Sequence, residues 1–344
     1  MKIPLVILAL SVLVFIHELG HYLVARAFGM RVKVFSIGFG PVLWQWRPKG
    51  SETVFQVAAI PVLAYVQIAG MSPAEPHDPD DRGSYQNAPT LGRLFTIAAG
   101  PLANYLAASL IIFGVLTLLG VQRPVVGRVL PDSPAAAAGV RAGDVVLRVD
   151  RAAPADFGDL AESINATRGR PFSLTVRREG SVVELRPSAR EEQRDHRFRI
   201  GIGPGAGSAS ERIPMSQVVR HTLTAPARLT VEQVKAIGRM IRGREKVNVM
   251  GPVGIVHETA KLAEHGWRHA FDAFAIISLA LFFFNLLPVP ALDGGRMLFL
   301  GYELVTRRKP SPTLEERATR YSMMLLLGLS ALVIVRDIAQ IAFG

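Results

Sequence analysis

The sequence predicts a polytopic α-helical membrane protein, with about four transmembrane helices and an inserted, extracytoplasmic β-rich domain. Two observations predict it. Of 344 residues, 49% are hydrophobic, more apolar side chain than one soluble core of this length needs. The excess gathers in long apolar runs towards the ends, while the middle third is rich in Arg, Asp, Glu, Gly and Pro. The chain has no cysteine, which excludes disulfides, thiolate metal sites and a Cys nucleophile together. Any metal must rest on His, Asp or Glu. The net charge of +11 does not point to nucleic acid, because no basic stretch is interleaved with aromatics as in strand or groove binders.

The first span runs from Ile3 to about Phe28 and is long enough to cross ~30 Å of hydrocarbon. It is not read as a cleaved signal peptide, since one lysine precedes it, no small-residue cleavage site follows, and charge lies in its middle. A second span covers about Leu94 to Leu119 and contains Gly100 and Pro101, which membrane helices tolerate when neighbours satisfy the freed backbone. The third extends from about Phe271 to Leu287 and stops at Pro288; the fourth covers about Tyr321 to Phe343. Arg336 and Asp337, close to its end, are expected to pair or to snorkel towards the interface.

Orientation follows from the short connections. The one after span three carries Arg296, Arg307, Arg308, Lys309, Arg317 and Arg320, so it should face the cytoplasm, with both termini and the region of about 120 to 270 outside. His17 lies 14 residues beyond Ile3, about 21 Å along a helix and past the midplane. Asp293, after the break that ends span three, falls in the same leaflet.

His17-Glu18-Leu19-Gly20-His21 sits inside the first span. Imidazoles at i and i+4 share a helix face one turn apart and can grip one zinc ion. Glu18 beside them is positioned to take a proton from water and pass it to a leaving amine. A chance match is the bland alternative, but two His and a Glu in hydrocarbon would cost several kcal/mol without a partner. A soluble metalloprotease helix is opposed by the other three spans. Zinc catalysis needs a third protein ligand, and the region of Asp293 is the best candidate. There, Asn285-Leu286-Leu287-Pro288-Val289-Pro290-Ala291-Leu292-Asp293-Gly294-Gly295 must unwind, and unwound backbone at membrane depth requires protein or a water-filled cavity around it. Asp-Gly alone is most often a plain turn. Asn285 is either an interhelical hydrogen-bonding residue or a group that orients substrate or stabilises an oxyanion.

These residues resemble the site-2 protease family of intramembrane zinc metalloproteases, of the bacterial regulator of sigma-E protease type. Four blocks carry the likeness: His17 to His21, Gly100-Pro101-Leu102-Ala103-Asn104, Gly251-Pro252-Val253-Gly254-Ile255, and Asn285 to Gly295. The resemblance implies that His17, His21 and Asp293 bind zinc, Glu18 is the general base and Asn285 assists substrate. It implies endoproteolysis of single-pass membrane proteins, such as an anti-sigma factor, or of signal-peptide remnants, in the bacterial inner membrane. Relatives often carry Gly-Gly-Tyr-Val in a membrane-dipping β element that presents substrate as a strand; this chain has Leu63-Ala64-Tyr65-Val66.

Between the spans, residues 125–130, 172–177, 182–187 and 198–202 read as strands and 157–166 as a helix. The stretch of about 122 to 206 looks like a circularly permuted PDZ domain, which can bind a peptide C-terminus by strand addition. A spacer without ligand and a steric filter against untrimmed substrates are the other readings. Gly203 to Ser208 is expected to be a flexible linker, and Ile213 to Lys246 a helix whose Arg220, Arg228, Lys235, Arg239 and Arg242 meet either anionic lipid or water. The domain plan is thus 1–121 with spans one and two, 122–206, 207–266, and 267–344 with spans three and four. The competing function is a catalytically inactive membrane scaffold that tethers partners through its PDZ domain.

Overall fold

The computed structural model describes residues 2–72, 75, 78–154, 157–192, 196–243, 250–264 and 266–343. The chain opens with α1 (Lys2–Ala27), β1 (Val32–Trp46), β2 (Val54–Ile68) and α2 (Thr90–Leu119). Next come β3 (Val121–Val129), α3 (Pro134–Ala137), β4 (Val145–Val149), α4 (Phe157–Asn165), β5 (Leu174–Arg178), β6 (Ser181–Leu185), β7 (Arg190–Glu192), β8 (Arg197–Arg199) and β9 (Ile202–Glu211). The last part holds α5 (Met215–Ile241), α6 (Pro252–Glu264), α7 (Trp267–Asn285), α8 (Asp293–Thr306) and α9 (Pro312–Phe343). There are two compact units, Met1–Phe113 with Val219–Gly344, and Gly114–Val218.

Among the described residues, four helices are long and apolar enough to cross a membrane: Ile3–Ala27, Thr90–Leu119, Trp267–Asn285 and Pro312–Ala342. Helix α2 runs unbroken through Gly100 and Pro101. The helix that carries the fourth apolar run begins at Pro312, ahead of the run from about Tyr321, because Pro312 supplies a favourable first helical residue. Helix α8 lies where the sequence suggested only a basic connection.

Strands β1 and β2 form a sheet in the larger unit. Residues 34–37 are flanked by 64–67 on one side and 54–57 on the other, so the 64–67 segment is an edge. Gly38 has φ +95°, and a Cβ there would stand 2.6 Å from the Ala58 carbonyl oxygen, so only glycine fits the bend. The outer part of β1 exposes Phe39, Leu43, Trp44 and Trp46. Leu63 to Val66 contains no left-handed residue, and Tyr65 pairs opposite Ser36 while its hydroxyl accepts from Gln56 Nε2 at 3.0 Å. The strand therefore forms with Leu63 and Ala64 where the family resemblance implies two glycines.

The smaller unit is a five-stranded sheet in the order β6-β5-β4-β3-β9. Helix α4 buries Leu160 and Ile164 among Val126, Val146, Leu174, Val176 and Ile200, each such side chain contributing about 1.5–3 kcal/mol. Asp144 is buried but paired: its carboxylate accepts from Arg178 Nε and Nη2, both at 2.8 Å. Residues 203–208 are not a linker. They lie in β9, with Pro204 opposite Val126 and Ser210 opposite Gln122, so the sheet continues to Glu211.

Helix α5 carries Arg220, Arg228, Lys235 and Arg239 within one 100° sector, and Arg242 lies in the turn just beyond it. Its other side packs Leu229 against Ala108 of α2 and Ala275 and Leu279 of α7, and Gln233 Nε2 donates to the Ile276 carbonyl at 3.1 Å. The helix ends at Ile241 and not at Lys246, because Arg242 and Gly243 form a turn with Gly243 at φ +66°; residues 244–246 lie outside the described residues.

Candidate metal centre

His17 and His21 stand one turn apart on α1 and are both buried. Close helix crossing puts them against α2: a Cβ on Gly20 would lie 2.3 Å from the Ala99 carbonyl oxygen, and one on Gly100 would lie 2.3 Å from His21 Nε2. The His21 Nδ1 atom is 2.8 Å from the Thr96 carbonyl oxygen. A carbonyl only accepts, so Nδ1 bears the proton and Nε2 is a bare lone pair. The Asn104 amide nitrogen Nδ2 lies 3.2 Å from His17 Nδ1, which leaves Asn104 Oδ1 a buried acceptor without a donor. Turning that oxygen to the imidazole satisfies it and fixes the second proton on Nδ1 as well.

Asp293 reaches the same point from another part of the chain. Helix α7 ends at Asn285, Pro288 and Pro290 prevent its continuation, and α8 restarts at Asp293. The turn is tight because Gly294 and Gly295 lie on the backbone of residues 286–290, where Cβ atoms would come within 2.2 and 2.3 Å. Asp293 Oδ2 stands 3.1 Å from His17 Nε2 and 3.4 Å from His21 Nε2, and the two Nε2 atoms are 3.2 Å apart. With both imidazole protons on Nδ1, three lone pairs converge with no donor between them. A cation resolves that repulsion. Donor atoms of a tetrahedral zinc site with bonds of about 2.0–2.1 Å stand roughly 3.3 Å apart, so the triangle fits zinc in size and in donor chemistry.

Glu18 points into a cavity of about 890 Å³ that is also lined by His17, His21, Asp293 and Asn285. The backbone N–H of Val66 is within hydrogen-bond reach of the Glu18 carboxylate. One wall of the cavity is the edge segment Ala64 to Ile68; another is the start of α9, through Glu315, Thr319, Arg320 and Met323. Glu75 lines it too, its carboxyl held below the usual range by the Gly70 N–H and by Lys33. Asn285 is on the lining but makes no hydrogen bond to His17, His21 or Asp293 among those described.

Thr96, Gly100 and Asn104 were not assigned roles from sequence, although two of them stand in the Gly100 to Asn104 block. Asn104 is fully buried, with its own carbonyl accepting from Ser278 Oγ at 2.8 Å. Hydrogen bonds that orient ligating histidines are typically worth 10- to 100-fold in metal affinity. Asn104→Ala is therefore expected to weaken zinc binding by about that factor while the protein stays folded, which competition with a chromogenic chelator measures.

Comparison with known proteins points the same way. The sequence matches Peptidase family M50 over residues 5–329. It is 31% identical to a protein of Rhizobium meliloti named as a zinc metalloprotease, over 98% of this chain and 96% of that one. A protein of Nostoc with the same description is 33% identical over 99% of this chain and 97% of its own length. The metalloprotease MmpA of Caulobacter vibrioides is 33% identical over 93% and 90%.

Proposed function

We propose that this chain, which belongs to peptidase family M50 and is a multi-pass membrane zinc metalloprotease, cleaves single-pass membrane proteins inside the bilayer. His17, His21 and Asp293 hold the zinc, and Glu18 is the general base. The observation that carries this reading is the triangle of three bare donor atoms, from α1 and the α7–α8 junction, in the wall of a cavity that also contains Glu18.

Zinc bound there supplies Lewis-acid chemistry, polarising a peptide carbonyl and lowering the pKa of water. Glu18 takes the proton of the attacking water and returns it to the leaving amine. The edge at residues 64–67, which no further strand covers among the described residues, borders the same cavity, so a substrate unwound to a strand can add to β2 and bring its backbone beside Glu18. Asn285, also on the lining, orients the substrate backbone or the developing oxyanion. The basic connection after α7 supports an active site towards the cytoplasmic leaflet of a bacterial inner membrane, with the β-rich unit outside. That unit is read as a PDZ domain: a cleft of about 480 Å³ lies between α4 and residues 199–202, lined by Leu160, Ile164, Ile200 and Ile202 with Arg128 and Arg199 at hand for a peptide C-terminal carboxylate. An anti-sigma factor or signal-peptide remnant fits this arrangement as substrate.

The test is cleavage in liposomes by the purified full chain. A single-pass substrate is expected to be cut within its apolar segment, as mass spectrometry of the products reports, with loss of activity under chelation and recovery with zinc. Cleavage confined to soluble, extramembrane segments would overturn the proposal.

A further inference from the structure

The block Gly251-Pro252-Val253-Gly254 takes no part in the chemistry above, and Asp337 is a carboxyl group buried within the fourth span. They meet. Asp337 is 2% exposed, and its carboxylate is turned to backbone N–H groups inside the protein. Its Oδ1 accepts from the Gly251 N–H at 3.2 Å and its Oδ2 from the Gly254 N–H at 2.7 Å.

Pro252 opens α6, so Gly251 is the residue before the helix and Gly254 its third residue. In a capping box, a side chain at the first of these positions takes the N–H of the second, and a side chain at the second takes the N–H of the first. Glycines have neither side chain. A single carboxylate, delivered from α9, performs both tasks. Proline at the intervening position has no N–H to leave unpaired, and the positive end of α6 makes the buried carboxylate tolerable. The same contact explains both glycines. A Cβ at Gly251 would stand 2.8 Å from Asp337 Oδ2 and 2.7 Å from Val333 Cγ1, and one at Gly254 would stand 3.0 Å from Oδ2.

Helix α9 has little else to hold it. Only 6% of its most apolar window is buried, and Leu325, Leu332 and Val335 are exposed as lipid-facing residues would be. Its first turns nevertheless form a wall of the catalytic cavity, through Glu315, Thr319, Arg320 and Met323. Asp337 is 14 residues beyond Met323, about 21 Å along the helix. Helix α6, which Asp337 caps, packs against α1 and α7, the helices that carry His17, His21 and Asn285. The cap therefore ties a loosely packed wall to the helices bearing the site.

We propose that Asp337 is a positioning residue for proteolysis: by capping α6 from α9 it sets the width of the cavity that receives the unwound transmembrane substrate. This rests on the membrane-substrate reading above. The experiment compares wild type with Asp337→Ala, Asp337→Asn, Gly254→Ala and the Asp337→Ala/Gly254→Ala double variant in liposomes. Zinc content is measured for each, together with kcat and KM on a single-pass substrate and on a short peptide spanning its cut site.

Asp337→Ala and Gly254→Ala are each expected to raise KM for the transmembrane substrate about tenfold. Zinc content and turnover of the short peptide stay within about twofold of wild type. Asp337→Asn, which retains an acceptor, falls between. The double variant is expected to be no worse than either single one, because both break one contact. Unchanged KM in both single variants overturns the proposal, as does a parallel loss on both substrates accompanied by loss of zinc. Wild-type protein that cuts the short peptide but leaves the transmembrane substrate intact overturns the membrane-substrate reading and this inference with it.

Discussion

Glu18→Gln is expected to leave about one zinc per chain and to lower cleavage of a transmembrane substrate by roughly 10²–10⁴-fold. The expectation comes from what the side chain touches. Glu18 faces the same cavity as His17, His21 and Asp293 but is not one of the three donors that converge, so replacing its carboxylate removes the proton acceptor and leaves the donor triangle intact. Gln is isosteric and can still meet the Val66 N–H through its amide oxygen, so the wall formed by residues 64–68 keeps its support. Zinc analysis, thermal unfolding and cleavage should therefore separate: the first two unchanged, the third lost. Retained turnover would remove Glu18 from the chemistry. Zinc lost together with activity would instead make Glu18 part of the metal site, contrary to the geometry.

Local patterns made much of this protein legible before its structure. The spacing of His17 and His21 needs only the 3.6-residue period of one helix, and the four spans need only a run of apolar residues. Asp293 is a harder case, because it reaches the histidines across the chain; prolines that force a helix to end at a matching depth brought it into view. What composition and period do not carry is contact between helices. Thr96 acts through its backbone oxygen, which any residue possesses, so no sequence pattern marks it. Asp337 looked like a charge bound for the interface, and its partners are two N–H groups whose only trace is a pair of glycines 83 and 86 positions away. Gly203 to Ser208 has the composition of a linker, yet the ladder it forms with β3 uses backbone groups that glycine and serine also have. The errors share one cause: backbone groups acting over long sequence distance.

Gly100 is where contact between helices has its largest expected consequence. Ordinarily Gly→Ala within a helix stabilises it by up to about 1 kcal/mol, since alanine is the better helix former. Here the added methyl would stand 2.3 Å from His21 Nε2, 2.5 Å from His21 Cε1 and 2.9 Å from His17 Cε1, well inside contact distance. The imidazoles cannot simply turn away. His21 is held by the Thr96 carbonyl and His17 by the Asn104 amide, both on α2 itself. Moving α2 outwards would open the adjoining Gly20–Ala99 crossing, where the two helices are in close contact, and would carry the Thr96 and Asn104 partners away from the imidazoles. The methyl must then displace at least one Nε2 from the triangle, and a zinc site that loses one of three ligands loses most of its affinity. Gly100→Ala is expected to abolish stoichiometric zinc and proteolysis while keeping helical content, as metal analysis and circular dichroism of the purified protein report. Full zinc occupancy in this variant would show that the imidazoles and α2 are free to separate, and would refute the close crossing on which the metal centre depends.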